Sequence, residues 1–568
     1  MIRLRRLMRI PAILLGAALF LAGCTQIPSA GDVQAVDPQS VVSDDDVDFL
    51  PPGPSTGASP SDILQGFIAA GAAAQNNYRV ARSFLTADFA DQWNPNQSAL
   101  IRQGESRIID QGSAGVIYEA QIIASVDDSG RYEAAASPTT QELEFSLEQK
   151  DGQWRIASAP DGIILTDTAF VEAFESYQLY YYSSDYRELV PDLRWFASRG
   201  DVLTKVIRGL LDEPSYWLGG GVTASAFPPG TQLVLSPVPV VDGQAQVDVN
   251  EAVVDANATQ RERMLLQLTT TLSQISGVSD VVITYNQTPI RIVTTDENQP
   301  VLTSGRDPRS LVVRGLDFGY LQAGRIDSIE GLEQAIVSLR PEKVFFNQSL
   351  QQAAVLGEEG VWRVTESGAS DEPWDVREGL IRPFIDSCGF TWSMTQTPGE
   401  DALRVFPRVV VDPETNLTVL PVDLPIESGV VTMEIARDNT RLLLLVQTDQ
   451  GVRVLLAGIQ RGPDCEPLGL GEFVELSPLA NTAVDAAFVD DTTVAVVTRD
   501  GPAGEVVLQD VNGRVTLAGR PGAPHTLVAG VGGVSGLRLL SEQGTIFQPR
   551  GNGWQSTGER ANVLVTQR

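Results

Sequence analysis

The first apolar stretch of the chain lies at residues 10–22, between a basic segment and a group of small residues. Four arginines precede it within the first nine residues, and the first acidic residue is Asp32. The stretch is about half as long as a membrane-spanning helix, which is typical of the apolar part of a secretory signal peptide. It ends in Leu-Ala-Gly-Cys at residues 21–24.

This order of residues predicts a signal peptide over 1–23 and acylation of Cys24. Lipoprotein signal peptidase requires small residues before a cysteine, and cleavage leaves that cysteine as the first residue. Stable membrane anchoring requires more than one acyl chain, and a diacylglycerol-cysteine supplies two. We therefore expect a lipoprotein on the extracytoplasmic face of the cell membrane. An ordinary secretory signal with an incidental cysteine is the alternative.

Residues 24–60 show no hydrophobic periodicity. They contain an acidic run at 44–46 and the sequence Pro-Pro-Gly-Pro at 51–54. Proline, glycine and charge without periodicity indicate a semi-extended linker. Such a tether would hold the folded part of the chain away from the bilayer.

Residues 61–165 combine helical and strand patterns. Apolar residues at 63, 64, 67, 68 and 72 follow Ser61 and Asp62, which predicts a helix capped by these two polar residues. A second helix is predicted around 80–85. Strands are predicted at 115–123, 131–136, 141–149 and 153–157, with a hairpin turn at Asp151-Gly152. Helices followed by an antiparallel sheet are typical of an NTF2-like α+β domain, which either encloses a pocket or has a filled core.

Residues 170–290 form a second predicted α+β unit. Asp201 precedes an amphipathic helix that stops at Pro214, and a longer helix is predicted at 258–275. Strands are predicted at 178–182, 232–240, 244–249 and 281–285. Five tyrosines lie between residues 177 and 186. They could stack on a glycan or a peptide, but packing within a core is the interpretation we favour.

Residues 305–568 contain short apolar runs separated by turns, and long helices largely vanish. Segments 432–457 and 484–517 share one pattern: a strand, an acidic turn, a longer apolar strand, a turn and a third strand. Their offset of about 50 residues is typical of propeller blades. About 260 residues at ~40–45 per blade predict an all-β propeller of about six blades. A pair of β-sandwiches is the alternative.

The net charge of the chain limits its partners. The formal charge is −31, and loss of the four signal-peptide arginines leaves the mature chain near −35. A strongly acidic protein is a poor partner for nucleic acid and for anionic lipid surfaces. We therefore expect no nucleic-acid partner.

Cysteine is scarce after Cys24, because only Cys388 and Cys465 remain. Outside the cytoplasm these two could form a disulfide. Two buried free thiols are the alternative, because the sequence does not show whether the Cα atoms lie within the about 7 Å that a pairing requires.

Residues that carry chemistry are few. The single histidine, His525, excludes a site with several histidine ligands and is not near a Gly-x-Ser-x-Gly nucleophile motif. We interpret it as a surface or loop residue. The sequence has no phosphate-binding loop, and no pair of carboxylates stands out from so acidic a background, although glycoside hydrolysis by two acids stays open. We predict no catalytic residues, no cofactor and no metal site.

Several short motifs resemble the LpqB lipoprotein family of high-GC Gram-positive bacteria. They follow one another along nearly the whole chain, and the later ones also resemble a sporulation and germination (GerMN) domain. The motifs are Leu-Ala-Gly-Cys at 21–24, Val-Ala-Arg-Ser-Phe-Leu-Thr at 80–86, Leu-Tyr-Tyr at 179–181, Leu-Val-Pro at 189–191, Pro-Pro-Gly-Thr at 228–231 and Gln-Leu-Thr-Thr-Thr-Leu at 267–272.

This resemblance implies a multidomain fold: an NTF2-like α+β domain, a GerMN-like α+β domain and a β-propeller. It also implies a non-enzymatic accessory protein of the MtrA–MtrB two-component system. Such a protein contacts the extracellular sensor domain of the MtrB histidine kinase and modulates signalling in cell-wall homeostasis and division. The one position that the resemblance assigns is Cys24, as the acylated residue. A scaffold that binds peptidoglycan or a wall amidase is the alternative function.

Overall fold

The computed structural model describes residues 51–112, 115–295, 307–409, 412, 417–424, 429–511 and 514–568. The predicted signal peptide, Cys24 and the first part of the predicted tether lie outside these residues. Each helix within them is too short or too polar to cross a membrane. Pro51–Arg568 form one compact unit, in which three domains follow one another.

The N-terminal domain packs helices against one antiparallel sheet. Its helices are α1 (Pro60–Ala70), α2 (Gln75–Arg82), α3 (Ala87–Ala90) and α4 (Asp167–Ala173), and its strands are β1 (Ser98–Asp110), β2 (Val116–Asp127), β3 (Tyr132–Lys150), β4 (Gln153–Ser158) and β5 (Ile163–Thr166). The sheet order is β4-β3-β2-β1-β5, and only β5 runs parallel to its neighbour. Leu64, Phe67, Trp93 and Phe145 belong to the core between sheet and helices.

Two local predictions in this domain were wrong. Ser59 caps helix α1, rather than Ser61 and Asp62, because Pro60 fits the first helical position and the Asp62 carboxylate accepts a hydrogen bond from the Ser59 backbone N–H. The predicted strands 131–136 and 141–149 are one strand, β3. Pro138, which lacks an N–H, lies where the pairing of β3 with β2 shifts register, so the strand continues past it through a bulge.

One turn prediction in this domain is confirmed, whereas two strands and the start of the domain were missed. The hairpin at Asp151-Gly152 is confirmed, and both residues have the positive φ of a type I′ turn, 51° and 73°. Strands β1 and β5 were not predicted. Gly57 in the predicted tether donates from its backbone N–H to Gln153 Oε1 at 2.9 Å, so the ordered domain begins before residue 61.

The GerMN-like domain contains two small sheets and two main helices. Its strands are β6 (Phe174–Ser183), β7 (Leu189–Ala197), β8 (Thr223–Ala224), β9 (Val240–Val241), β10 (Gln244–Val249), β11 (Asp280–Tyr285) and β12 (Thr288–Pro289), and its helices are α5 (Val202–Leu211) and α6 (Ala258–Leu272). The sheet orders are β12-β11-β10-β9 and β7-β6-β8. Strands β10 and β11 are parallel, as a crossover through α6 requires. Helices α5 and α6 both pack against β6 in one core.

The predicted strand 232–240 is the main error in this domain. Only residues 240–241 form a strand, although the Val234 N–H donates to Asp248 O at 2.8 Å and Leu233 bridges Val249. Pro237 and Pro239 have no N–H to donate, so the ladder along β10 cannot continue through them.

The remaining strands form six sheets in the described part of the chain, which we call blades 1 to 6. Blade 1 contains β13 (Leu311–Arg314), β14 (Asp317–Gln322), β15 (Arg325–Ser328) and β37 (Val563–Leu564); blade 2, β16 (Lys343–Asn347), β17 (Gln352–Gly357), β18 (Gly360–Thr365), β19 (Gly368–Ala369) and β38 (Thr566–Gln567); blade 3, β20 (Phe384–Ile385), β21 (Thr391–Met394), β22 (Gly399–Phe406) and β23 (Thr418–Val422). Blade 4 contains β24 (Gly429–Ile435), β25 (Arg441–Thr448), β26 (Gly451–Arg461), β27 (Pro467–Leu470) and β28 (Val474–Glu475); blade 5, β29 (Thr482–Phe488), β30 (Thr493–Asp500), β31 (Ala503–Asp510) and β32 (Val515–Leu517); blade 6, β33 (Pro524–Ala529), β34 (Leu537–Ser541), β35 (Thr545–Arg550) and β36 (Gly553–Arg560). Helix α7 (Glu333–Ser338) joins blades 1 and 2. The predicted β-propeller of about six blades is confirmed.

The last strands of the chain close the ring of blades. Strand β37 pairs antiparallel with β13 in blade 1, and β38 pairs parallel with β16 in blade 2. Polar contacts then link blades across the centre. Arg382 of blade 3 donates to Asp485 of blade 5 at 3.2 Å, and Lys343 of blade 2 donates to Thr526 of blade 6 at 3.2 Å. The last strands of the chain thus join its first two blades and close the ring.

The GerMN-like domain shares a hydrophobic core with the propeller. The residues that it contributes are Val190, Leu193, Trp217, Leu218 and Val222, and the propeller contributes side chains of blades 4 and 5 that include Leu443, Leu445, Val454, Leu456 and Phe488. Two polar contacts lie at the margin of this core: Gln460 Nε2 donates to Gly220 O at 2.7 Å, and Ser184 Oγ donates to Arg461 O at 2.9 Å. The two domains are therefore packed as one body.

The shared core predicts a loss of stability when its central side chain is shortened. Leu218 is fully buried between the domains, so Leu218→Ala should cost about 2–5 kcal/mol of folding free energy. The expected result is a lower midpoint in thermal unfolding and faster proteolysis between the domains. Leu316→Ala, at a side chain that is 83% exposed in blade 1, is the matched control and should leave both unchanged. Equal midpoints for the two variants would contradict the shared core.

Candidate functional site

The turn between β6 and β7, residues 183–188, lies over one face of the propeller. Hydrogen bonds within the turn hold its shape. The Ser183 hydroxyl donates to Asp185 Oδ1 at 2.5 Å and accepts from the Glu188 backbone N–H at 3.0 Å. Tyr186 takes a positive φ of 60° at the bend, and its ring receives the Arg263 guanidinium at 4.2 Å. We call residues 183–188 the roof hairpin.

A cavity of about 480 Å³ separates the roof hairpin from the propeller. Its floor comes from three blades: Leu350, Gln352 and Arg363 of blade 2, then Ser387, Cys388, Gly389, Arg408 and Val409 of blade 3, then Asp438, Asn439, Thr440, Arg461 and Cys465 of blade 4. Volumes of this size are typical of sites for small molecules. The roof and the floor belong to different domains, so the shared core described above also fixes the shape of the cavity.

A disulfide between Cys388 and Cys465 lies at the floor of the cavity. Cys388 is in the turn between β20 and β21, and Cys465 is in the turn before β27, so the bond links blades 3 and 4. The Cα atoms are 6.3 Å apart, within the usual range for such a bond. The Asn439 amide is 3.5 Å from both sulfur atoms.

A buried ion pair lies beside the disulfide. Arg461 Nη1 donates to Asp386 Oδ2 at 2.9 Å and to Cys465 O at 2.8 Å. The Asp386 carboxylate also accepts from Trp392 Nε1 at 3.0 Å and from the Phe390 N–H at 2.8 Å, so both of its oxygens are occupied. Paired and hydrogen-bonded in this way, two charges can be buried without a large penalty.

The Glu188 carboxyl is the unusual acid of this cavity. Burial in the roof hairpin raises its pKa to about 8, the positive charges of Arg568 and Arg461 oppose the shift, and the negative charges of Asp438 and Asp185 add to it. At neutral pH the group is therefore largely protonated and can donate a hydrogen bond as well as accept one.

The other predicted candidates lie in the N-terminal and GerMN-like domains. Within the N-terminal core, the cavity beside Phe67, Trp93 and Phe145 measures about 20 Å³, enough for a single water. A larger cavity, of about 510 Å³, lies where this domain meets the GerMN-like domain, and Tyr78, Val126 and Trp195 are among its lining residues. The tyrosine-rich segment packs in the GerMN-like core, where Tyr181 is fully buried and its hydroxyl donates to Gly209 O at 3.0 Å. Core packing, the favoured interpretation of the tyrosines, is confirmed.

His525 and the acidic side chains were the remaining candidates for chemistry. His525 is an exposed residue of strand β33, with Nδ1 2.8 Å from Thr526 Oγ1. The part of the ring that packs against the protein lowers its pKa, and the nearby Lys343 adds to the shift. Over the described ranges, no group of three or more His, Cys, Asp or Glu side chains could hold a metal ion.

The residues of the cavity were missed by sequence reasoning, apart from the two cysteines. Arg363, Arg408 and Arg461 are separated by 45 and 53 positions and come together only because their blades are neighbours. The available signal was weak: an arginine within the otherwise apolar strand β18, at Arg363.

Three family models match the chain in the order of its domains. "Lipoprotein LpqB, N-terminal domain" matches residues 53–171, "Sporulation and spore germination" matches 178–291, and "Lipoprotein LpqB beta-propeller domain" matches 321–563. Together these three matches cover most of the chain.

Individual proteins similar to this chain are also named Lipoprotein LpqB. A Lipoprotein LpqB of Streptomyces coelicolor is 26% identical over 98% of this chain and 97% of that protein. A Lipoprotein LpqB of Cutibacterium acnes is 27% identical, and there the match spans 51% of this chain and 49% of the relative. Among solved structures, the tandem GerMN domains of the sporulation protein GerM from Bacillus subtilis align at 12% identity and a TM-score of 0.19, over 34% of this chain and 59% of that one.

The raised pKa of Glu188 predicts a pH-dependent effect of Glu188→Gln. A carboxyl whose pKa is higher in the folded than in the unfolded chain contributes stability at low pH and loses it as pH rises from about 4.5 to about 8. The glutamine variant escapes this loss, so its unfolding temperature should match the parent near pH 5 and exceed it near pH 8.5. Glu358→Gln, at an exposed side chain of blade 2, serves as the control. An equal difference at both pH values would contradict the shift.

Proposed function

This chain belongs to the LpqB lipoprotein family, and from that premise we propose that it regulates a sensor histidine kinase without catalysing a reaction. As a member of this family it is a membrane-anchored lipoprotein. We propose Cys24 as the acylated residue and the extracytoplasmic face as its location. The partner would be the extracellular sensor domain of an MtrB-type kinase, and the output would be altered MtrA signalling in cell-wall homeostasis and division.

The observation that carries this proposal is the rigid coupling of the three domains. Besides the core shared with the propeller, the GerMN-like domain holds the N-terminal domain: Arg194 Nη1 donates to Ser129 O at 3.0 Å, and Trp195 packs within the N-terminal core. Arg514 of blade 5 lies 5.2 Å from the Trp195 ring, so the propeller meets the same junction. A fixed array of this kind presents surfaces at constant spacing, which suits recognition of a folded partner.

The lipid anchor supports the same proposal because it raises the effective concentration of a partner in the same membrane. Two proteins held in one membrane meet at a much higher effective concentration than two in free solution. An interface too weak to persist in solution would then be sufficient at the membrane. The formal charge of −31 also indicates the kind of surface that would be bound, because an acidic protein is attracted to a basic surface on its partner.

The proposed anchor is tested by Cys24→Ala. Without the thiol no acyl chain can be attached, so the variant should leave the membrane fraction and be recovered as soluble protein. Cell fractionation and immunoblotting measure the distribution. Cys388→Ala, which removes a different cysteine, should stay with the membrane. A Cys24→Ala chain that remains membrane-bound would contradict lipidation at this residue.

The proposed partner is tested by photo-crosslinking in intact cells. A photoreactive residue would replace one exposed apolar side chain at a time, at Ile109 in the N-terminal domain, Val241 in the GerMN-like domain, and Leu316 and Leu468 in the propeller. We expect adducts with the kinase sensor domain from positions on one side of the array. The same four positions in the Cys24→Ala background are the control and should give fewer adducts. Adducts with wall polymer or a wall amidase alone would contradict the kinase and favour a scaffold.

A further inference from the structure

We propose that the cavity under the roof hairpin binds a small organic anion, whose carboxylate or phosphate group is held by Arg363 and Arg408. This site is independent of the proposed kinase partner and of the lipid anchor. The inference is carried by the charges that line the cavity, by the carboxylate partners that Arg363 and Arg408 lack, and by the size of the space between them.

Arg363 makes only neutral contacts. Its Nη1 donates to Gly389 O at 2.7 Å and to Thr391 Oγ1 at 3.0 Å, and its Nη2 donates to Gln352 Oε1. Among the described residues, no carboxylate lies within salt-bridge distance of Arg363, which is 4% exposed. A buried guanidinium normally pairs with an acid, so an anionic partner is the component that this environment lacks.

Arg408 stands beside Arg363 at the same glycine. A Cβ atom on Gly389 would lie 3.2 Å from Arg408 Cγ, so the aliphatic part of Arg408 packs directly over the glycine whose carbonyl oxygen binds Arg363. Arg408 is exposed to the cavity mouth and has no carboxylate partner in the described part of the chain. Burial lowers the pKa of Arg363 to about 10, the negative charge of Asp386 opposes this shift without forming a salt bridge to Arg363, and the positive charge of Arg408 adds to it.

The acids of the cavity do not neutralise these two arginines. Asp438 pairs with Arg441 at 2.5 Å, and Asp185 lies 3.6 Å from Arg187 on the roof hairpin. Glu188 is largely protonated at neutral pH, as shown above. The cavity thus has a positive charge within a chain whose formal charge is −31.

A third arginine has an unused donor at the same floor. Arg461 lines the cavity, and its Nη1 and Nε are occupied by Asp386, Cys465 O and Asn439 O. Its Nη2 is buried and has no hydrogen-bond partner among the described residues. Because this atom has almost no accessible surface, a ligand in the cavity cannot reach it, and we do not count Arg461 among the groups that hold the anion.

The size and the donors define the class of ligand. A space of about 480 Å³ accommodates a small molecule. The planar guanidinium of arginine donates hydrogen bonds to two carboxylate or phosphate oxygens at once. It has no acceptor atom, so it does not bind a cation. The roof adds Glu188, whose protonated carboxyl can donate to a further oxygen of the ligand.

The test is calorimetric titration of the full chain in detergent with citrate, with glycerol 3-phosphate and with neutral glycerol. We expect saturable binding of at least one anion and none of glycerol, and the arm that binds identifies a carboxylate or a phosphate ester as the favoured group. Arg408→Gln should weaken that binding about tenfold or more, because one charge-assisted contact is lost. Arg340→Gln, at an exposed arginine of blade 2 outside the cavity, should bind like the parent. No binding of either anion up to about 10 mM, or equal binding by the two variants, would overturn the proposal.

A second variant places the ligand under the roof hairpin. Glu188 faces Arg568, Arg461, Asp438 and Asp185 and becomes charged as pH passes about 8. Anion binding by the parent should therefore weaken between about pH 6 and pH 9, whereas Glu188→Gln should show a much smaller change. The comparison of the two proteins at each pH corrects for ionisation of the anion itself, because that ionisation is the same for both. The same loss of affinity in the parent and in Glu188→Gln would exclude the proposed site.

Discussion

The apolar core between the GerMN-like domain and the propeller is the contact on which the other features depend. Trp217, Leu218 and Val222 lie against blades 4 and 5, and each buried side chain of this kind contributes roughly 1.5–3 kcal/mol. The backbones approach closely at Gly458, where a Cβ atom would lie 2.4 Å from Val222 Cγ1. Any larger residue at Gly458 would separate the domains. The roof hairpin is therefore held over the propeller by packing elsewhere, and the cavity exists because the domains cannot move apart.

The propeller face below the hairpin is rigid for a different reason. The disulfide joins blades 3 and 4, and the Arg461–Asp386 pair lies beside it with both side chains almost fully buried. Burying such a pair adds little to stability overall, but breaking it would leave one charge unpaired at a cost of 3–5 kcal/mol. Arg568, held by the ring-closing strand β38, donates to Asn439 Oδ1 at 3.3 Å in the same region. Closure of the ring and construction of the cavity floor thus share residues.

Local signals in the sequence predicted the elements, and tertiary contacts decided the rest. The Asp201 cap of α5, the Asp151-Gly152 hairpin and the repeat of the blades depend on neighbouring residues, and the structure has all three. The strand expected at 232–240 failed because two prolines override the apolar alternation. The cavity could not be predicted at all. Its arginines are common surface residues by type, and only the adjacency of blades 2, 3 and 4 leaves Arg363 buried without an acid.

A positive cavity in a strongly acidic chain is consistent with simple electrostatics. At physiological ionic strength, charges beyond about 8 Å are largely screened, so most of the acidic surface contributes little inside the cavity. Buried charges are screened much less, and their interactions are several times stronger than in bulk water. The unpaired Arg363 and Arg408 therefore dominate the local potential, while the formal charge of −31 acts at long range. The long-range repulsion slows the approach of an anion, but the local attraction determines whether it stays.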